Sequence, residues 1–192
     1  MGAFSGQLVP VVGPSGAGKD SLLRIAQERL AKDGSVVFPR RVVTRASQME
    51  AEDHDSMSRV AFADAAARGA FAVFWEAHGN AYGIPIAIEF DLAQGRTVVF
   101  NCSRAALIPT WERYPRMTVI EISAEPDILV DRIVARGRET REEAVQRVSR
   151  KADGYPAGLP VIGIDNSGPL AEAGHAFCAA IEGLHHARPD QG

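Results

Sequence analysis

The run GPSGAGKDSLL, Gly13-Pro14-Ser15-Gly16-Ala17-Gly18-Lys19-Asp20-Ser21-Leu22-Leu23, reads as a phosphate-binding loop in all but one place. Such a loop turns backbone N–H groups inward around an anion, so it needs residues that tolerate unusual φ and close approach. Gly13, Gly16 and Gly18 supply them. Lys19 adds a point charge, and a helix starting near Asp20 aims its positive end at the same anion. The context fits: Leu8 to Val12 is a short apolar run entering the loop, and Ser21 to Lys32 places Leu22, Leu23, Ala26 and Leu30 on one helical face. The exception is position 20, where the pattern expects a Ser or Thr hydroxyl for the Mg²⁺ that travels with ATP. Two readings of Asp20 stand side by side. It decorates the helix N-terminus, where a carboxylate is welcome, or it is a hard oxygen ligand for Mg²⁺, directly or through water, with Ser21 the alternative ligand. A decayed loop would more readily have lost Lys19 or a glycine, and both are kept.

Working outward, strands alternate with helices, which predicts an α/β fold with a mainly parallel sheet flanked by helices. Pro10 removes a ladder donor from the first strand, so a local irregularity is expected there. Ser35 to Thr44 reads as a second strand interrupted by Pro39, and Ala61 to Arg68 as a short helix. GAFAVFWEAHGNAYGIP then suggests a small hairpin about His78-Gly79-Asn80, an insertion rather than a crossover. The parallel pattern resumes with a strand at Thr97 to Cys102, a helix from Ala105 broken near Pro109, a strand at Thr118 to Ile122 and a helix from Asp127 to Arg136. An arginine-rich segment, Gly137 to Arg150, a strand at Val161 to Ile164 and an alanine-rich helix from Leu170 to about Leu184 close the chain. The organisation expected is one domain over 1–185, with an acceptor-binding region at about 36–93, a lid at about 137–150 and a disordered tail at 186–192.

With 192 residues and a formal charge of −3, the chain can bury a full sheet but offers no general nucleic-acid surface. No apolar run approaches the roughly 20 residues of a bilayer span, so no membrane is expected and a cytoplasmic protein is. Cys102 and Cys178 read as buried thiols rather than a disulfide or metal pair. A homodimer is compatible with the sequence.

Thr44-Arg45, Tyr82-Gly83, RIVARG at Arg132 to Gly137, Arg147, and IDNSG at Ile164 to Gly168 follow one another in the order seen in guanylate kinases. The resemblance runs from Leu8 to about Leu184. It implies that Arg45 and Tyr82 grip the acceptor phosphate, that Lys19, Arg132, Arg136 and Arg147 serve ATP and transfer, and that Asn166 lies near the adenine. The guanine readers are absent. Phe74 precedes Trp75 where a glutamate is expected, Ile84 follows Tyr-Gly in place of a small hydroxyl residue, and Asn101 and Ser103 end the third parallel strand in place of acids. A purine edge needs matched partners, and unpaired groups forfeit much discrimination.

GPSGAGKDS, RRVVTR at Arg40 to Arg45, HDSMS at His54 to Ser58 and AHGNAYGIP together resemble a narrower family, the ribose 1,5-bisphosphate phosphokinases. That resemblance implies ATP and Mg²⁺, a small sugar bisphosphate as acceptor, and 5-phosphoribosyl 1-diphosphate as product. Arg41, Arg45, His54, Tyr82, Phe74, Ile84 and Ser103 then belong to the acceptor site, with Phe74 and Ile84 as its wall. In EDHDSMS a metal cluster has no standard spacing, a solvated acidic loop is the plainer reading, and contact of His54 with the acceptor is preferred. The attacking phosphate oxygen is already deprotonated at neutral pH, so the chemistry calls for arginines rather than a base. RIVARGRETREE also reads as a solvated helix with i,i+4 ion pairs around Glu139, Glu143 and Arg147. The intact loop favours the lid. Two alternatives stay open: a guanylate or other nucleoside monophosphate kinase with remodelled base contacts, and a non-catalytic module that binds a phosphorylated partner.

Overall fold

The computed structural model describes residues 4–44, 54–77, 79–137, 139–149 and 154–186. In chain order these form β1 (Gln7–Val12), α1 (Lys19–Leu30), β2 (Val36–Val37), β3 (Arg41–Val43), β4 (His54–Ser56), α2 (Arg59–Ala67), β5 (Phe71–Ala77) and β6 (Asn80–Pro85). There follow α3 (Ile88–Ala93), β7 (Thr97–Asn101), α4 (Leu107–Arg113), β8 (Val119–Ser123), α5 (Pro126–Val134), α6 (Arg141–Val148), β9 (Val161–Asp165) and α7 (Leu170–His186). Among the described residues, a five-stranded sheet in the order β2-β7-β1-β8-β9 is parallel throughout, and a second sheet runs β4-β3-β6-β5. The second is mixed: β3 pairs β4 in parallel but β6 antiparallel.

Two apolar layers hold the parallel sheet. On one face Leu22 and Ala26 of α1 meet Phe177 and Ile181 of α7 over Val9, Val11 and Ile120, all of them fully buried. On the other, Ile88, Leu92, Leu107 and Met117 cover Leu8, Val98 and Val119. Burying each large side chain contributes about 1.5–3 kcal/mol. The second sheet splits its faces by the two-residue period. Trp75, Tyr82 and Ile84 turn toward the main core, while Phe71 crosses to α2 through a shifted register between Phe71 and Val73 and stacks on Phe62 at 4.5 Å.

Pro10 has the expected effect. The β1–β8 ladder breaks into a single bridge, Leu8 to Met117, and a resumed pairing at Val11, because the N–H that would join them is missing. The single second strand becomes two short ones in different sheets: Phe38-Pro39-Arg40 carries the chain from β2 to β3, and Pro39 ends the first pairing. Pro109 does not break α4, because it occupies the third helical position, where its missing N–H would have had no helical partner. His54–Ser56 is an edge strand and not a loop, and α7 continues through His186, one residue into the expected tail; 187–192 lie outside the described residues. Both cysteines are buried and free, and burial pushes the Cys102 thiol up to about 12, leaving it inert.

Candidate active site

Parallel strands bring their carboxyl ends to one edge of a sheet, where ligands gather in open α/β folds. The loop from Gly13 to Gly18 leaves β1 at that edge. Gly13 adopts φ 147°, and a Cβ there would lie 2.1 Å from the Ile122 carbonyl oxygen. Gly18 caps α1 at φ 89°, and its Cβ would come within 2.4 Å of Asn166 Nδ2. Asn166 is 1% exposed and donates from Nδ2 to the Ala17 carbonyl at 2.8 Å, fastening the loop from beneath. Arg132 in turn donates from Nη2 to the Asn166 carbonyl at 2.9 Å. Its Nη1 and Asn166 Oδ1 are buried polar atoms with no protein partner among the described residues.

Lys19 folds back over the loop, donating from Nζ to the carbonyls of Gly13 at 2.7 Å and Pro14 at 3.0 Å. Burial pushes its ammonium down to about 8; Asp20 opposes this, while the charges of Arg136, Arg41 and Arg104 add to it. These cations share one electrostatic basin. Asp20 makes no capping bond. Its Oδ1 accepts from Asn101 Nδ2 at 2.8 Å, across the gap between α1 and the end of β7.

A cavity of about 390 Å³ opens beside this pair, lined by Asp20, Ser21, Arg24, Arg41, Ile84 and Asn101 with Phe38 and Pro39. Register explains which side chains reach it. Val43 pairs with Tyr82, and Tyr82 with Trp75, so Arg41, Tyr82 and Ile84 share one face. The Arg41 guanidinium lies 5.9 Å over the Tyr82 ring, which stacks on Trp75 at 5.4 Å. Phe74, between Val73 and Trp75, takes the opposite face. It is 57% exposed and lines a separate cavity with Phe62 and Arg59, so it is not a wall shared with Ile84.

The remaining expected residues are scattered. Ser103 links β7 to the following 3-10 turn, its carbonyl accepting from the Ala106 N–H at 3.0 Å. His54 stands in register with Arg41 on the edge strand. Arg45 lies outside the described residues, as do His78 and positions 138 and 150 of the expected lid. Arg136 is exposed on the turn after α5. Arg147 pairs with Glu139 at 2.8 Å, eight residues away rather than four, across the turn that carries the Thr140 capping box. Three residues at this edge carry no recognisable motif: Arg104, Glu121 and Tyr155. Arg104 donates from Nε to the Tyr155 hydroxyl at 3.2 Å and from Nη2 to Glu121 Oε1. The one signal in the sequence was an arginine just beyond the carboxyl end of a parallel strand.

As for the donor set, among the described residues no group of three or more His, Cys, Asp or Glu converges. The donor chemistry of Asp20 is compatible with Mg²⁺, an ion commonly held by one or two carboxylates together with substrate phosphates and water.

No family model matches the chain. Among curated proteins it is 43% identical over 183 residues to the ribose 1,5-bisphosphate phosphokinase PhnN of Rhizobium etli (strain CIAT 652), covering 95% of this chain and 93% of the relative. The protein of that name from Burkholderia mallei (strain SAVP1) is 43% identical over 179 residues, covering 93% and 96%. That from Bradyrhizobium diazoefficiens is 46% identical over 156 residues, covering 81% and 78%. Among solved structures, the guanylate kinase from Anaplasma phagocytophilum superposes with a TM-score of 0.69 at 19% identity over 97% of this chain and 89% of that one. A gluconokinase from Sinorhizobium meliloti 1021 gives 0.52 at 19%, covering 96% and 95%. The fold is thus guanylate-kinase-like, and the chain belongs to the ribose 1,5-bisphosphate phosphokinases.

Proposed function

We propose that the chain transfers the γ-phosphoryl group of Mg-ATP to ribose 1,5-bisphosphate, giving 5-phospho-α-D-ribose 1-diphosphate and ADP. The observation that carries this is the pairing of the phosphate loop with a cavity whose wall, among the described residues, offers Arg24, Arg41, Ile84 and Asn101, with Asp20 as its carboxylate. Among the described residues Asp20 is the one carboxylate that lines it, and it is engaged with Asn101. The relatives' shared name supports the same acceptor.

An oxygen of the sugar's 1-phosphate attacks the γ-phosphorus. The new P–O bond forms as the bond to the β,γ-bridging oxygen breaks, and ADP leaves with that electron pair. The nucleophile is already anionic, so the protein's part is alignment and charge compensation. Loop N–H groups and Lys19 hold the β- and γ-phosphates, Arg136 offsets charge on the group in transit, and Arg41, braced by Tyr82, holds the attacking phosphate. Asp20 would hold Mg²⁺, which when bound would supply positive charge to offset that of the phosphates. Arg147 is the lid cation that nucleotide takes from Glu139, and Arg132 with Asn166 stiffens the loop beside the adenine.

Incubating the protein with Mg-ATP and ribose 1,5-bisphosphate tests this by ³¹P NMR. The expected result is a new pair of coupled diphosphate doublets growing with the ADP signals. ADP formed without them, or no turnover, overturns the proposal.

A further inference from the structure

We propose that Arg104 is a further acceptor-binding residue, whose guanidinium, held in place by Glu121 and Tyr155, takes the phosphate of the sugar bisphosphate that is remote from the transfer. This rests on the ribose 1,5-bisphosphate reading and extends it: that acceptor carries two phosphates, and Arg41 accounts for one.

Arg104 opens the 3-10 turn Arg104–Ala106, three residues beyond Asn101, at the sheet edge from which the phosphate loop also departs. Its Nε donates to the Tyr155 hydroxyl at 3.2 Å, its Nη2 donates to Glu121, and its guanidinium centre lies 5.6 Å over the Tyr155 ring. None of these contacts engages Nη1, and the side chain keeps 29% of its surface exposed. The partners fix the fork and leave one edge for a ligand. Holding a long side chain in this way removes rotamer freedom before binding, which lowers the cost of gripping a phosphate later. Glu121 itself sits on β8 in register with Val12, the residue before the loop.

Charge balance points the same way. Lys19 has Arg136, Arg41 and Arg104 as neighbouring cations and Asp20 as a neighbouring anion, with Glu121 paired to Arg104. Nucleotide offsets the loop's share. A sugar bisphosphate brings about −1.5 to −2 on each phosphate, enough to require a cation on both sides. Arg41 stands on the small sheet and Arg104 just beyond β7 of the main one, and both are neighbouring cations of Lys19.

The test is calorimetric binding of ribose 1,5-bisphosphate to protein saturated with Mg²⁺ and a non-hydrolysable ATP analogue. Arg104→Met is expected to weaken the bisphosphate roughly 10- to 150-fold, the loss of a charge-assisted hydrogen bond, and to leave analogue affinity within about 3-fold. Arg104→Lys regains only part, since an ammonium cannot keep the planar fork. Ribose 5-phosphate, which lacks the attacking phosphate, is the second probe and is expected to lose the same factor. Unchanged bisphosphate affinity in Arg104→Met overturns the proposal, and so does a loss for the bisphosphate with none for ribose 5-phosphate. Absence of binding by the unmodified protein instead overturns the acceptor reading itself. Should Arg104→Met fail to fold, Tyr155→Phe, which removes one orienting bond, is read in the same way: an expected loss of roughly 2- to 10-fold, and an unchanged affinity overturns the proposal.

Discussion

Lys19→Met lowers kcat by about 10²- to 10³-fold, the scale on which one charge-stabilising donor acts in a transition state, while leaving the fold intact. The methionine keeps the apolar stem and gives up only the ammonium now bonded to the Gly13 and Pro14 carbonyls. Stability should hold or rise, because burial holds this lysine down at about 8 from its ordinary 10.5. The sign follows from proton counts. Between about pH 8 and 10.5 the folded protein without nucleotide binds fewer protons at this site than the unfolded chain does. The lysine therefore opposes folding most fully below pH 8, and the opposition is relieved as pH rises toward 10.5. Phosphate oxygens reverse the preference, so nucleotide binding at pH 8.5 takes up protons and at pH 6.5 does not. Calorimetry in buffers of different ionisation enthalpy reads this uptake, which should vanish in Lys19→Met. Wild-type turnover in that variant, or uptake that persists in it, would remove Lys19 from the account.

Gly13→Ala costs about 2–5 kcal/mol of folding stability and abolishes nucleotide binding. The alanine Cβ would meet the Ile122 carbonyl oxygen at 2.1 Å, and the residue would hold a φ of 147°. Neither neighbour can yield cheaply: Val11 and Val12 are paired to Ile120 and Glu121 on β8, and Ile122 is paired to Ile164 on β9. Strain of about 1–3 kcal/mol adds to an overpacking cost of similar size. Gly34→Ala is the control, with a positive φ of 72° but open space around it, so strain alone acts there. Urea denaturation of the two variants compares them directly. If Gly13→Ala is no more destabilising than Gly34→Ala, the close packing of the loop against β8 is not what this glycine serves.

Much of this architecture was legible because local signals were strong and agreed. The glycine run, the apolar strand before it and the helical face after it placed the phosphate loop without ambiguity, and Pro10 announced the break in the ladder that is found. Pro39 was visible as an interruption, yet nothing local says that the chain changes sheets there, since sheet membership is a property of partners far away in sequence. Phe74 shows the same limit. Its neighbours mark a hairpin, but which face it takes depends on the register with β6 and the shift after Phe71. The edge strand at His54 could not be read from an acidic, hydroxyl-rich segment that pairs only because Arg41–Val43 lies beside it. Within the site, the loop motif singled out Lys19, and motif order Tyr82 and Asn166; Ile84 stood out as a departure from that order, and it lines the cavity with Arg41. The Asp20–Asn101 bond explains two departures at once, a carboxylate on the loop facing an amide on the strand, yet the two residues stand 81 positions apart. Arg104, Glu121 and Tyr155 come from three separate segments and converge only in the fold.

The most direct measurement of the central claim is the ratio of kcat/KM for ribose 1,5-bisphosphate to that for GMP, both with saturating Mg-ATP. A cavity that, among the described residues, offers Arg24 and Arg41 to phosphates, and whose carboxylate Asp20 is engaged with Asn101, predicts a ratio of about 10³ or more. Comparable values, or a preference for GMP, would contradict it.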